Sequence, residues 1–493
     1  MPSRAMTETT PITSTPSSLT PFMDRRNFLR TSVLSGSALY LGTSKNAEAQ
    51  ATSPDKVLKV ALVGCGAQGQ RLLAASKGIP GVQFTCVCDI WDYQRSRVAA
   101  TVKYQYGNCT QYVEIEEMLA KEKDIDCVLI AVPDFLHAPF TRLALQAGKA
   151  VYCEKMMSNT IEGAKDMVKA QRETGGLLQI GHQRHSNPRY INLRENVLQK
   201  NKLLGRVTHL YGQWNRGVSA SVPLAVGPTV KVPDAVLAKY GYNNIEEFLN
   251  WRFFSKYGAG PISDLGAHQI DMFNWFFSEK GKPIITPVSV FASGGTDYYD
   301  GKEGRAKFEL PDNVMAMYEY QGTEGVRRAY YQVLTTTGSQ GYYEKLMGVE
   351  GSVAISESPS YNSIYREPNA TKSWESLSEG ENPVLAKAAE SVHNKFWEKP
   401  KPWFRAPGWM DVKAGRDSRE SKAPEAWELA VTLAGLPHNP HLVNFFDCAR
   451  RKDPAGLTCN VEDAMRSCVT VLRCYDSMKS GNKYVFTPED FTV

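Results

Sequence analysis

The stretch Gly260-Pro261-Ile262-Ser263-Asp264-Leu265-Gly266-Ala267-His268-Gln269-Ile270-Asp271 sets a carboxylate and an imidazole four positions apart. On a helix, Asp264 and His268 share one face. Three uses fit such a pair: a metal site, a capped helix start, or a catalytic dyad. Two other stretches bring reactive side chains. Cys153-Glu154-Lys155-Met156 supplies a lysine, and Gly181-His182-Gln183-Arg184-His185-Ser186-Asn187-Pro188-Arg189-Tyr190 supplies histidines, arginines and amides. Several polar groups with fork-like donors on the second stretch suit a polyhydroxylated ligand.

The elements that must position these groups start at Val57. A short apolar run to Val63 feeds Gly64-Cys65-Gly66-Ala67-Gln68-Gly69, a strand, then a G-x-G-x-x-G turn, then a helix opening at about Ala67. Gly64 permits the tight turn, Gly66 lets backbone amides approach a pyrophosphate, and Gly69 lets the helix pack on the strand. The opening of the helix, Ala67 and Gln68 included, offers free N–H donors and partial positive charge. A second strand, Val82 to Cys88, ends in Asp89, 20 positions beyond Gly69. An acid there accepts from both adenosine ribose hydroxyls and repels a 2′-phosphate. Ile90 and Trp91 follow instead of a basic pair, so NAD is expected and not NADP.

The β–α rhythm continues. Helices are expected over Tyr93 to Tyr106, Ile115 to Glu122, His137 to Ala147 and Thr160 to Thr174, and strands over Asp126 to Val132, Ala150 to Cys153 and Leu177 to Gly181. The continuous apolar run DCVLIAV reads as a parallel strand buried on both faces. Six strands make a doubly wound Rossmann domain. In such a sheet, ligands bind beyond the carboxyl ends of the strands, and the loops at Val132-Pro133-Asp134, Glu154-Lys155 and His182 to Tyr190 lie at that edge. After residue 181 the strands turn aromatic and β-branched: Val207 to Trp214, Ile285 to Ser293, Asn313 to Tyr320, Arg327 to Thr335 and Tyr343 to Val349. Their alternation predicts an open, mostly antiparallel sheet crossed by helices. The fold class is α/β, a Rossmann domain followed by an α+β domain.

Composition fits a globular protein of more than one domain, with 493 residues, 42% hydrophobic and 22% charged. A formal charge of +5 with no basic stripe gives no footprint for nucleic acid. The ten cysteines show no metal-type spacing, no metal is expected, and most cysteines fall in core strands as small apolar residues. Asp24-Arg25-Arg26-Asn27-Phe28-Leu29-Arg30 resembles a twin-arginine leader. Ala47-Glu48-Ala49 offers its cleavage site, so a mature chain starting near Gln50 in the periplasm, or secreted, is expected. The apolar part is too short for a stable membrane anchor.

The glycine turn, Pro133-Asp134, Glu154-Lys155 and Asp264-x-x-x-His268 together resemble the Gfo/Idh/MocA oxidoreductases, over about residues 56–350 and again in the final helices. The resemblance implies an NAD enzyme acting on a carbinol of a sugar or glycoside. It also implies a second domain whose open sheet forms the substrate floor and often an oligomer interface, hence a homo-oligomer (dimer or tetramer). Cofactor residues are then Gly64, Gly66, Ala67, Gln68, Gly69, Asp89, Pro133, Glu154 and Lys155. Lys155, Asp264 and His268 match the catalytic groups: His268 as neutral base near its ordinary pKa, Lys155 donating to the reacting oxygen, Asp264 holding a sugar hydroxyl or orienting the dyad. His182, Arg184, Tyr190 and Trp251 are expected against the substrate. The family usually has proline after the Glu-Lys pair, often with a cis bond; here Met156 follows. A second reading is a glycoside-cleaving relative working by transient C3 oxidation and elimination, a group that typically lacks the Glu-Lys pair. The chain divides into a leader and preface at 1–49, an NAD-binding domain at 50–183, and a substrate and oligomerisation domain at 184–440. An irregular insertion is expected at about 355–435, and a helical tail at 441–493 packs back on the domains.

Overall fold

The structure is a computed structural model that describes residues 56–218, 224, 226–279, 281–358, 361–388, 410–411, 416–417 and 424–493. The leader at 1–49 lies outside the described residues. Short apolar runs build the first sheet: β1 (Leu58–Val63), β2 (Val82–Cys88), β3 (Thr110–Tyr112), β4 (Cys127–Ile130), β5 (Ala150–Cys153) and β6 (Leu178–Ile180). All five pairings are parallel, in the order β3-β2-β1-β4-β5-β6. Strand order reverses beside β1, which opens a crevice at the carboxyl ends of β1 and β4.

The sheet is covered on both faces, and the end of the chain does part of the covering. Leu58, Val60 and Leu62 face one side, with Leu72 and Leu73 of helix Ala67–Ser76 and with Leu442, Phe445, Phe446 and Cys448 of helix Asn439–Arg451. Phe445 meets the Tyr152 ring edge-on at 5.7 Å. Ala61, Val63, Val128 and Ile130 face the other side, in a core continuous with the second sheet. Helix Val461–Ser480 bridges there, burying Met465, Val469 and Leu472.

The second sheet contains β7 (Val207–Asn215), β8 (Ser289–Gly295), β9 (Asn313–Gly322), β10 (Gly325–Leu334), β11 (Tyr342–Gly348), β12 (Gly351–Ile355), β13 (Asn362–Arg366), β14 (Leu385–Lys387), β17 (Glu425–Leu429) and β18 (Tyr484–Val485). A separate pair, β15 (Met410–Asp411) and β16 (Arg416–Asp417), stands apart from it. Only β7 and β10 pair in parallel within this sheet; its other described pairings are antiparallel. Alternation sorts its two faces. Val314, Ala316, Tyr318 and Tyr320 are buried against helices, while Phe291, Met315, Met317 and Met347 of the opposite face are exposed.

Two expectations change. The strand expected from Ile285 starts at Ser289. The irregular excursion expected at 355–435 instead lends β13, β14 and β17 to the sheet, where Ile364, Trp374, Leu385, Trp427 and Leu429 form core. Its strands hold only three to five residues each, too few for alternation to stand out.

Candidate active site at the dinucleotide crevice

The glycine turn has the geometry a dinucleotide needs. Gly64 has φ +94°, and a Cβ on it would lie 2.3 Å from the Ala131 carbonyl oxygen. A Cβ on Gly69 would lie 1.9 Å from the Gly64 oxygen, so helix Ala67–Ser76 rests directly on the strand end. At Gly66 the same position meets nothing within 4 Å. No side chain caps the helix, which leaves its first amides, at Ala67, Gln68 and Gly69, for phosphate oxygens. Asp89 is half-buried and accepts from the amides of Cys65 at 2.6 Å and Trp91 at 2.7 Å. A carboxylate has about four lone-pair sites, so two remain for ribose hydroxyls. Burial pushes the Asp89 carboxyl up, against the pull of those two amides and of Arg95. Arg95 is committed to the Asp89 carbonyl and the Asp92 carboxylate. These residues fit NAD.

The loops after β4 and β5 are tied together beside the turn. Pro133 precedes a 3-10 turn, Asp134–Leu136, and the His137 imidazole meets the Met156 carbonyl at 2.6 Å. Glu154 is buried, accepts from the Tyr152 hydroxyl at 3.3 Å, and lies against Gly181, where a Cβ would come within 3.0 Å of its carboxylate. The Lys155–Met156 peptide is cis.

Asp264 and His268 sit where a π-helical turn, Ile262–Gly266, runs into helix Ala267–Trp275. Such turns recur at functional sites. Lys155 Nζ donates to the Asp264 carbonyl and stands 3.7 Å from its carboxylate, which Arg252 Nε approaches to 3.1 Å. Burial acts to raise the Asp264 carboxyl; Arg252, then Lys155, overcome it and hold it well below the usual carboxylate range. Asp134, buried nearby, is pushed up to about 7 by burial against the pull of Lys155 and Arg252. His268 is buried with Nδ1 unpartnered. Burial first, then Lys155 and Arg184, drives its pKa well below the ordinary 6.5. The ordinary pKa expected of His268 from sequence is thus not found: its surroundings hold the imidazole neutral. Among the described residues no cluster of three metal-ligating side chains exists, and all ten cysteines are free thiols, nine of them buried.

The β6 loop divides by role. His182 is buried, with both ring nitrogens lacking a hydrogen-bond partner. Arg184 is equally buried and pairs with Glu344 and, through Nε at 3.2 Å, with Glu357, leaving Nη2 unpartnered. Tyr190 is fully buried; its hydroxyl donates to Glu344 at 2.7 Å and its ring stacks on Phe276. The substrate contacts expected of Arg184 and Tyr190 are replaced by the buried Arg184–Glu344 pair and its support from the Tyr190 hydroxyl. Trp251 is half-buried and carries the Arg252 guanidinium 4.3 Å above its ring, which aims Arg252 at Asp264. Beside His268, Trp214 stacks on Tyr342 with centroids 4.3 Å apart.

Sequence reasoning missed four participants. Asp271 lies three positions past His268, on the same face, and the i, i+4, i+7 pattern already pointed to it. Arg252 and Glu344 carry no local signal, because only the folded chain brings them in. His438, from the far end of the chain, meets Gln68 of the glycine turn at 2.9 Å.

Residues 58–182 match the family model "Oxidoreductase family, NAD-binding Rossmann fold", and residues 233–353 match the "GFO/IDH/MocA C-terminal domain". The inositol 2-dehydrogenase/D-chiro-inositol 3-dehydrogenase of Shouchella clausii is 31% identical over 145 residues, covering 29% of this chain and 41% of that protein. A glycosyl hydrolase family 109 protein of Shewanella amazonensis is 31% identical over an aligned stretch of 172 residues, covering 30% of this chain and 36% of that protein. The chain spans 41% to 59% of the length of the first curated relatives it matches. The WlbA dehydrogenase of Bordetella pertussis, solved with NADH and UDP-GlcNAcA, aligns with a TM-score of 0.57 at 16% identity, covering 88% of this chain and 98% of that one, a likeness of fold. Two stretches of the chain, 58–182 and 233–353, thus resemble the two domain models of the Gfo/Idh/MocA oxidoreductases.

Proposed function

We propose that the chain oxidises a carbinol of a sugar or glycoside with a tightly held NAD. The observation that carries this reading is the meeting of Lys155, Asp264 and His268 at the sheet edge that also bears the glycine turn. When bound, NAD supplies a hydride acceptor. The chain's own groups do the rest. Neutral His268 takes the hydroxyl proton as a general base. Lys155 turns from the Asp264 carbonyl to the reacting oxygen and stabilises its growing negative charge. Asp264, kept ionised by Arg252 and Lys155, accepts from a neighbouring sugar hydroxyl. The stacked Trp214 and Tyr342 give an apolar wall for the C–H face of a sugar ring.

A second reading, cleavage of a glycoside through transient oxidation, draws support from the glycosyl hydrolase family 109 relative. The retained Glu154-Lys155 pair favours the oxidoreductase. Export through the twin-arginine route rests on Arg25-Arg26 and Ala47-Glu48-Ala49. A cofactor that must survive export has to be held, not exchanged each cycle. A homo-oligomer rests on the exposed apolar face of the second sheet, with Phe291, Met315, Met317 and Met347.

Five outcomes are expected. Asp89→Ala lowers the NAD released on denaturing the purified protein by at least about tenfold, because two ribose hydrogen bonds to a charged group are lost; retention equal to wild type removes the ribose assignment. Lys155→Ala and His268→Ala each slow sugar-dependent reduction of the bound nicotinamide by about a hundredfold or more. A neutral imidazole is the active form, so the wild-type rate stays level as pH falls through 6.5 and drops only in stronger acid. An inflection at the ordinary histidine value that persists in Asp134→Asn contradicts the site, and chromophore release from an aryl glycoside without net reduction favours the second reading. Periplasmic fractions contain a chain starting near Gln50, and Arg25→Lys with Arg26→Lys retains the longer form in the cytoplasm. Met317→Lys shifts the mass measured by light scattering toward the monomer; an unchanged mass excludes this sheet face as the interface.

A further inference from the structure

One segment of the second domain lies on the first. Residues 229–257, with the short helices Asp234–Lys239 and Ile245–Leu249, meet four loops at the carboxyl edge of the nucleotide sheet. After β3, Glu114 accepts from the Tyr240 hydroxyl at 2.6 Å. After β2, the Trp91 indole N–H donates to the Thr229 carbonyl at 3.0 Å, and its ring meets Phe248 edge-on at 6.0 Å. After β4, the Phe135 ring packs edge-on against Tyr242 and Tyr257 at 5.5 and 5.3 Å. After β5, Asn159 donates to the carbonyls of Ser255 and Lys256. In the sheet order β3-β2-β1-β4-β5-β6, β1 stands between the two strands whose loops hold Trp91 and Phe135. A segment seated on both loops crosses the end of β1, where the glycine turn begins.

The segment is apolar where it touches, with Val232, Leu237, Tyr242 and Tyr257 buried against Ile90, Trp91 and Phe135. One polar atom in this seam has nothing to bind. Tyr242 is 3% exposed, and its hydroxyl has no hydrogen-bond partner among the described residues. Its neighbour Tyr257 differs, donating to Glu247 at 2.6 Å. Burial first, then Tyr257 and Asp89, push the Tyr242 phenol up, so it keeps its proton, and Asp89 is near enough for its charge to act there. A buried hydroxyl without a partner costs free energy. The group expected beside Asp89 is the adenosine ribose of a dinucleotide, and its oxygens are the acceptors that Tyr242 lacks.

We propose that residues 229–257 form a strap over the dinucleotide crevice, and that the Tyr242 hydroxyl it carries donates to an oxygen of the adenosine ribose of NAD. The inference rests on the tightly held NAD of the reading above and says what holds it. Asp89 accepts from the ribose and Tyr242 donates to it, so the first and second domains each supply one polar partner. Release of the nucleotide requires the seam of Trp91, Phe135, Tyr242 and Phe248 to part. Phe248 meets Trp91 on one side and Tyr242 on the other, the latter edge-on at 5.3 Å, and so closes the seam.

The test mixes the purified, NAD-loaded protein with excess NAD tritiated in the adenine and follows the label taken up by the protein, isolated by gel filtration. Uptake runs no faster than release of the resident nucleotide. The wild type is expected to take up label slowly. Tyr242→Phe exchanges about five- to tenfold faster, for the loss of one hydrogen bond. Phe248→Ala exchanges about tenfold faster or more, for the loss of two ring contacts. The oxygen removed in Tyr242→Phe meets no protein group, so the melting temperature of the nucleotide-free protein does not fall. Exchange at the wild-type rate in Tyr242→Phe overturns the ribose contact, as does a lowered melting temperature, which would place the hydroxyl in the service of the fold. Exchange at the wild-type rate in Phe248→Ala overturns the strap. A wild type that equilibrates within the mixing time overturns the tightly held NAD and the strap with it, a failure distinct from slow exchange that neither variant changes.

Discussion

A carboxylate withdrawn from water must be met by cations or donors, or it takes up a proton. The seam between the two sheets of this protein is organised around three such groups. Asp264 is met by Arg252 and Lys155, Asp271 by His182, His185 and Ser467, and Glu344 by Arg184 and Tyr190. Each set crosses from a loop at the edge of the first sheet to a helix or strand of the second domain. Together with the apolar core that runs between the sheets, these pairings tie the two domains to each other.

The same charges tune the base. Lys155 and Arg184, needed to balance the carboxylates, also oppose a proton on His268, and burial adds to them. A histidine in this position is held in its neutral form. Trp214 and Tyr342 then supply what the charged groups do not, a flat apolar surface beside the imidazole. Polar groups and platform adjoin, with the Trp214 ring 5.7 Å from that of His268.

Much of this was legible in the sequence, for physical reasons. Strands buried on both faces leave continuous apolar runs, and a glycine turn with a carboxylate at the next strand end has few other uses, so β1, β2 and the nucleotide loop were readable from residues alone. Asp264 and His268 were readable because a helix converts spacing into a shared face. The failures have one origin. Arg252, Glu344 and His438 reach the site through tertiary contact between distant segments, and no local pattern encodes that. Tyr190 went astray because a loop aimed at a crevice still has an inner side. The strands at 362–366, 385–387 and 425–429 escaped because they are too short for a period to show.

Helix Asn439–Arg451 supplies four side chains of the core beneath β1, more than three hundred and seventy positions after that strand. A nascent chain therefore completes the covering of this face of its nucleotide sheet only after residues 439–451 are made. Maturation of the dinucleotide crevice is a late event in the life of each molecule. Any nucleotide captured before helix Asn439–Arg451 docks binds a sheet whose covering is incomplete, and loss of that helix uncovers the N-terminal domain.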